Sequence, residues 1–258
     1  MMLDAKIVHC AEEMVDAAGT VIKKYFRQPL EADDKPDNSP VTKADKESET
    51  VIRNLIEKHF PSHGIIGEEF GSINEGNDWV WVIDPIDGTK AFISGKPSFG
   101  TLLALTFAGN PVLGIINQPI TNERWLGITG QETLFNGNPV KTRKCPNIKQ
   151  ASLYATEPEM FNGDDKTAFN NLSSQVKMTR FGADCYAYGL LAMGFIDIVC
   201  EASLKRHDFM AMRPIIEGAG GVITDWQGKE LNINSQTGKV IAIGDKALLA
   251  LSLESLAV

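Results

Sequence analysis

The stretch Asp84-Pro85-Ile86-Asp87-Gly88-Thr89 follows directly on the apolar run Trp79-Val80-Trp81-Val82-Ile83. A run of that composition reads as a buried strand. Pro85 fixes φ and has no N–H to donate, so the chain is expected to turn after Asp84. Gly88 admits a left-handed or close-approach backbone. Such a turn aims the carboxylates of Asp84 and Asp87 at one point. Thr89 and Lys90 can then open a short helix whose N–H groups face the same place. Hard cations take oxygen ligands and exposed N–H groups attract anions, so the turn suits a metal held beside a phosphate. The plainer alternative is an Asx-turn with solvated aspartates. It accounts for one aspartate. It leaves the second, and it leaves Glu68-Glu69, which follow another apolar run, Gly64-Ile65-Ile66-Gly67. Adjacent strand residues point to opposite faces, so one of these glutamates is expected to meet Asp84 and Asp87.

The rest of the chain frames this feature. Residues 5–26 and 42–60 show apolar positions at helical spacing, with a polar, proline-containing loop over 31–40 between them. Strand-like runs at 101–107 and 112–117 are joined by Ala108-Gly109-Asn110-Pro111, a hairpin signal, and 124–129 adds another strand. Beyond Pro146 the texture alternates: strands at 152–156 and 178–181, a helix at 184–193, a strand at 195–201, a helix at 208–219, strands at 222–224 and 240–243, and a helix from 246. The expectation is an α/β (α+β) chain. It forms a single domain over 1–258 with two lobes, antiparallel-rich over about 1–147 and α/β over about 148–258.

Several function classes are excluded. A net charge of −8 and no basic stripe argue against nucleic acid as a partner. No apolar stretch is long enough to span a bilayer, since residues 99–116 are broken by Asn110-Pro111, and the charged N-terminus is not a signal peptide. Four cysteines without C-x-x-C spacing read as reduced, buried thiols of a cytoplasmic protein. There is no nucleophile elbow, no phosphate loop and no H-E-x-x-H, and the four scattered histidines receive no role.

Three separated motifs in one order resemble the inositol monophosphatase family. They are Gly67-Glu68-Glu69, the run from Trp81 through Asp84-Pro85-Ile86-Asp87-Gly88-Thr89, and Asp208 followed by Glu217-Gly218-Ala219-Gly220-Gly221. The resemblance implies a magnesium-dependent, lithium-sensitive phosphomonoesterase with a layered αβαβα sandwich of the inositol monophosphatase/fructose-bisphosphatase type, usually a homodimer. It implies two to three Mg2+ per site. Glu68, Asp84 and the Ile86 carbonyl would hold the first, Asp84, Asp87 and Asp208 the second, and Glu68 a third. Gly88 and Thr89 would bind phosphate. Asp45 would orient Thr89, and this pair, with Glu68, would serve in-line attack by a metal-activated water. Lys35 would screen phosphate charge.

Within that family the stretches Lys90-Ala91-Phe92-Ile93-Ser94-Gly95 and Asp184-Cys185-Tyr186-Ala187-Tyr188-Gly189 look like the histidinol-phosphatase branch, although Lys205-Arg206-His207 before Asp208 departs from its pattern. Histidinol phosphate is the expected substrate, and inositol 1-phosphate the alternative. A substrate carrying an ammonium favours carboxylates beyond the metal ligands, and Asp184 and Glu201 are the candidates. Their plainer roles are a helix N-cap for Asp184 and a surface charge at a strand end for Glu201.

Overall fold

Two helices open the chain. In the computed structural model, which describes residues 3–29, 32–34 and 40–257, α1 (Ala5–Tyr25) starts at Asp4, whose side chain accepts from Lys6 N. Its buried stripe is Ala11, Met14, Val15, Ala18 and Ile22. The expected loop at 31–40 is partly paired: β1 (Ala32–Asp34) lies antiparallel to β2 (Pro40–Thr42). Then α2 (Lys43–His59) begins at Thr42 with a reciprocal capping box to Asp45. That arrangement satisfies two otherwise orphan N–H groups.

A mixed sheet follows, built from β3 (Gly64–Gly67), β4 (Gly71–Ile73), β5 (Trp79–Asp87), β6 (Gly100–Phe107), β7 (Asn110–Gln118), β8 (Glu123–Ile128), β9 (Leu134–Phe135) and β10 (Asn138–Pro139). Their spatial order is β10-β9-β8-β7-β6-β5-β3-β4. The β3–β5 pair is parallel and the other pairs are antiparallel. The strand does not end at Pro85. It runs to Asp87, because one extra residue is absorbed as a bulge: Asp84 pairs with Leu102 and Asp87 with Gly100. The missing proline N–H therefore falls where the ladder is already interrupted. A short helix, α3 (Thr89–Ile93), leaves from Gly88.

The second sheet contains β11 (Ser152–Ala155), β12 (Met178–Phe181), β13 (Ile198–Glu201), β14 (Val222–Asp225) and β15 (Val240–Ile243), in the order β12-β11-β13-β15-β14. Between and beyond these strands run α4 (Asp164–Ser173), α5 (Tyr186–Ala192), α6 (Arg206–Phe209), α7 (Met212–Gly218) and α8 (Leu249–Leu256). The single helix expected at 208–219 is two helices. Pro214 cannot donate to the Met210 carbonyl, and its ring would crowd that group, so the helix restarts with the proline in its first turn.

Strand alternation sorts the core into layers. Trp81 and Ile83 of β5 face α1 and α2, packing with Met14, Val15, Ile52 and Ile56. Val80 and Val82 face the other way, onto Tyr188, Met212 and Ile215. The same middle layer of helices meets Val199, Val240 and Ala242 of the second sheet. That sheet's far side, with Leu153, Ile198, Ile241 and Ile243, packs on Phe169 and Leu172 of α4 and Leu256 of α8. The result is α/β in five layers, αβαβα. Gly127 lets α7 lie against the first sheet, since a Cβ there would stand 2.4 Å from Ile215 N. That close seat sets the height of α6 and Asp208 above the end of β5.

Candidate active site

The bulge in β5 brings both of its aspartates to one side of the sheet end. Asp84 Oδ1 accepts from Ile86 N at 3.0 Å, and Asp87 Oδ2 accepts from Cys185 N at 2.7 Å. From the second half of the chain, α6 delivers Asp208, whose Oδ2 accepts from Lys205 N at 2.6 Å. Carboxylate oxygens of Asp84, Asp87 and Asp208 lie within 4.8 Å of one another, as do ligand atoms of Glu68, Asp84 and His207. Glu68 sits where β3 meets β5, its N–H donating to the Ile83 carbonyl. His207, given no role from sequence, has Nε2 3.4 Å from Asp208 Oδ1. Its adjacency to Asp208 was the only available signal.

The carboxylates raise one another's pKa values. Burial pushes the Asp84 carboxyl well above its usual range, and the charges of Glu68, Asp87 and Asp208 push further the same way. Asp87 is raised by burial and then by Asp208, Asp184 and Glu201. Asp208 is raised by burial, opposed chiefly by the neighbouring His207. Oxygen donors from several carboxylates, close together and mutually repelling, fit hard divalent cations.

Beside them Gly88 adopts φ 87°, and a Cβ there would meet Asp184 Cγ at 2.8 Å. Both the backbone conformation and the close approach therefore require glycine. Thr89 Oγ1 lies 3.1 Å from the Ile86 carbonyl and 3.4 Å from Asp45 Oδ1. The other Asp45 oxygen accepts from Thr42 N at 2.8 Å and Thr42 Oγ1 at 2.5 Å. Burial raises the Asp45 carboxyl, against those hydrogen bonds. Lys35 lies outside the described residues.

Asp184 is not a helix N-cap. It takes a left-handed φ of 47°, its Oδ2 accepts from Ser98 Oγ at 2.9 Å, and α5 starts later, without a side-chain cap. Nor is Glu201 a surface charge. It is 3% exposed, because the middle helices close over the end of β13. One oxygen accepts from Thr156 N and Oγ1, at 3.0 and 2.5 Å, and the other accepts from Tyr188 OH at 2.8 Å. Burial raises its carboxyl to about 7. Asp87, Gly88, Thr89, Asp184, Glu201 and Asp208 line one cavity of about 250 Å³. At that cavity's mouth Lys90 pairs with Glu157 at 2.7 Å, a contact between the two halves of the chain that sequence reasoning missed.

A residue pair behind the site was also missed. Glu49 and Arg53, one turn apart on α2, are joined at 2.7 Å with side chains 0% and 9% exposed. Glu49 accepts from Glu69 N at 2.7 Å and Phe70 N at 3.2 Å, and Arg53 donates to the Gly71 carbonyl. The pair thus holds the loop that carries Glu68.

A five-layer α/β frame with carboxylates gathered beside a glycine turn is the architecture of a metal-dependent phosphatase. Residues 4–257 match the inositol monophosphatase family, and the chain belongs to that family. It is 48% identical over 251 residues to the chloroplastic bifunctional phosphatase IMPL2 of Arabidopsis thaliana, covering 94% of this chain and 72% of the relative. It is 34% identical to a histidinol-phosphatase of Chlorobaculum parvum, covering 88% of each. A solved inositol monophosphatase from Zymomonas mobilis superposes with a TM-score of 0.91 at 45% identity, covering 98% of this chain and 99% of that one. Among the described residues no helix is long and apolar enough to cross a membrane.

Proposed function

We propose that this phosphatase is a magnesium-dependent phosphomonoesterase acting on histidinol phosphate. The observation that carries the reading is the Asp84–Asp87–Asp208 cluster, buried at Asp84 and half-buried at the other two, beside the Gly88 turn. Glu68, Asp84 and the Ile86 carbonyl would hold one ion, Asp84, Asp87 and Asp208 a second, and Glu68 a third. Such ions supply Lewis-acid stabilisation of phosphate charge and lower the pKa of bound water. The Gly88 and Thr89 N–H groups would receive the phosphate oxygens. Thr89 Oγ1 has acceptors for its own proton in Asp45 and the Ile86 carbonyl. With its hydrogen committed inward, the Thr89 hydroxyl would have lone pairs free to accept from an attacking water. The division into two lobes near residue 147 belongs to the same reading, as the chain passes between the sheets after β10. So does a homodimer, for which Met178 and Phe181 on the edge strand β12 supply exposed apolar surface. Lithium inhibition and a cytoplasmic setting complete it; the four cysteines are unpaired, which suits a reducing compartment.

The choice of histidinol phosphate rests on Asp184 and Glu201, carboxylates in the cavity wall beyond the metal cluster. Inositol 1-phosphate is the second reading, favoured by the similarity to the Zymomonas mobilis enzyme. Phosphate release from histidinol phosphate, inositol 1-phosphate and fructose 1,6-bisphosphate, with magnesium and after chelation, tests both levels. The expected result is release only with magnesium and the highest kcat/KM on histidinol phosphate. Magnesium-independent release overturns the mechanism, and preference for inositol phosphate overturns the substrate.

Glu201 adds a sharper test. Charge-assisted hydrogen bonds contribute roughly 1.5–3 kcal/mol, so Glu201→Gln should cost about 10- to 100-fold in kcat/KM on the amino substrate and much less on the polyol phosphate. Burial raises the Glu201 carboxyl to about 7 in the metal-free protein, and cations held beside Asp208 would draw it down, so at saturating magnesium the parent's preference for the cationic substrate should rise with pH on the acid side of that value. Taking the ratio of two substrates cancels the titration of the metal ligands. Equal losses on both substrates, or a flat ratio across pH, would remove Glu201 from substrate recognition.

A further inference from the structure

Away from the cavity, Cys10, Glu13 and His59 bring a thiol, a carboxylate and an imidazole within 4.8 Å of one another. Cys10 and Glu13 are three residues apart on α1, the spacing that puts two side chains on one helix face. His59 is the last residue of α2, which packs alongside. Cys10 is 4% exposed. His59 Nε2 is enclosed by protein and has no hydrogen-bond partner. An orphaned buried nitrogen is costly unless something occupies its lone pair or takes its proton. Glu13 is exposed, so the group has an entry path from solvent.

We propose that Cys10, Glu13 and His59 form a second metal site, selective for borderline-soft divalent ions such as Zn2+ over Mg2+. Sulfur, nitrogen and one carboxylate oxygen are the donor set of a zinc site with a fourth position left for water. Magnesium, which demands an oxygen cage, has no reason to enter. On binding, the Cys10 thiol loses its proton to solvent and the neutral imidazole donates its lone pair, so no other reactant is needed. His59 lies fourteen residues from Asp45 along α2, about 21 Å at 1.5 Å per residue, so the site is separate from the phosphatase centre. Its physical effect would be to clamp the end of α2 to α1, stiffening the helix whose other end carries Asp45 and Thr42.

Cobalt is the probe, added to the full chain under reducing conditions in a large excess of magnesium. Coordination by Cys10 gives a near-ultraviolet sulfur-to-cobalt charge-transfer band that oxygen ligands cannot produce, and zinc should displace it. The expected result is a saturable band with release of a proton, lost in Cys10→Ser and strongly weakened in His59→Gln. With the phosphatase centre saturated by magnesium, zinc should raise the melting temperature of the parent well above any rise in either variant. Cys185 lies near Asp87 and could contribute sulfur at the other centre, so a band retained in both variants overturns the proposal. So does the absence of any band in the parent. Phosphatase activity plays no part in the readout, so this test fails or succeeds independently of the magnesium reading.

Discussion

Asp84→Asn is expected to cost about 10³-fold in kcat/KM, roughly 4 kcal/mol at 1.36 kcal/mol per tenfold, while leaving the metal-free protein at least as stable as the parent. The two halves of that expectation come from one cause. Asp84 is 2% exposed and is surrounded by Glu68, Asp87 and Asp208, all of which raise its pKa. Without cations, folding gathers like charges in a buried place, and an amide of the same shape relieves that repulsion. With cations, the same carboxylate is a shared ligand. The parent should therefore gain about 2.7 kcal/mol at magnesium concentrations a hundredfold above Kd, and the variant should gain little. Melting curves with magnesium and with chelator check this. A variant that keeps its magnesium response, or one that unfolds in chelator well below the parent, would falsify the shared-ligand reading.

The sign of the pH dependence follows. The folded pKa values of Asp84, Asp87 and Asp208 all lie above the usual 3.8. Raised carboxyls contribute their full stability below 3.8 and lose it as pH rises through the folded values. The chelated parent should thus lose stability as pH rises above 3.8, and saturating magnesium should flatten that slope. The same repulsion should loosen the chelated protein around Glu68 and ahead of Asp45, which amide exchange would register. These carboxylates are a poor foundation for the apo fold and a good one for the loaded enzyme.

How much of this was readable beforehand depends on whether the cause was local. The periodicity of α1 and α2, the hairpin between β6 and β7 and the acidic strand ends are written in short stretches of chain. The bulge at Pro85 was not, because whether a proline ends a strand or sits in an irregularity depends on its partner's register. The break between α6 and α7 had a local signal in Pro214 that helical periodicity obscured. Asp208 entered through family resemblance alone, since nothing in its neighbourhood says that its carboxylate meets Asp84. Glu201 illustrates the opposite error. A glutamate at a strand end reads as solvated until the middle helices are known to cover it. What the residues could not carry was layer stacking, which joins elements far apart in sequence and decides which carboxylates are dry.

Arg53→Met carries that argument to the support of the site. A Glu and an Arg four apart on a helix ordinarily form a solvated pair contributing a few tenths of a kcal/mol. Here both side chains are buried, 0% exposed for Glu49 and 9% for Arg53. Removing the arginine leaves a buried carboxylate uncompensated, which costs about 3–5 kcal/mol, or on the order of 10 °C in a chain of this size. Replacing both, as Glu49→Leu with Arg53→Met, should recover part of that stability, because two apolar groups leave no charge behind although the N–H groups that Glu49 serves lose their acceptor. It should not recover magnesium affinity. The N–H groups of Glu69 and Phe70 lose the Glu49 acceptor that holds the loop next to Glu68. Loss of an outer-shell partner of this kind weakens metal binding by about 10- to 100-fold. Thermal melts resolve the first effect and magnesium titrations of turnover the second. If the double variant binds magnesium like the parent, Glu49 and Arg53 serve the fold alone and Glu68 is held by its strand.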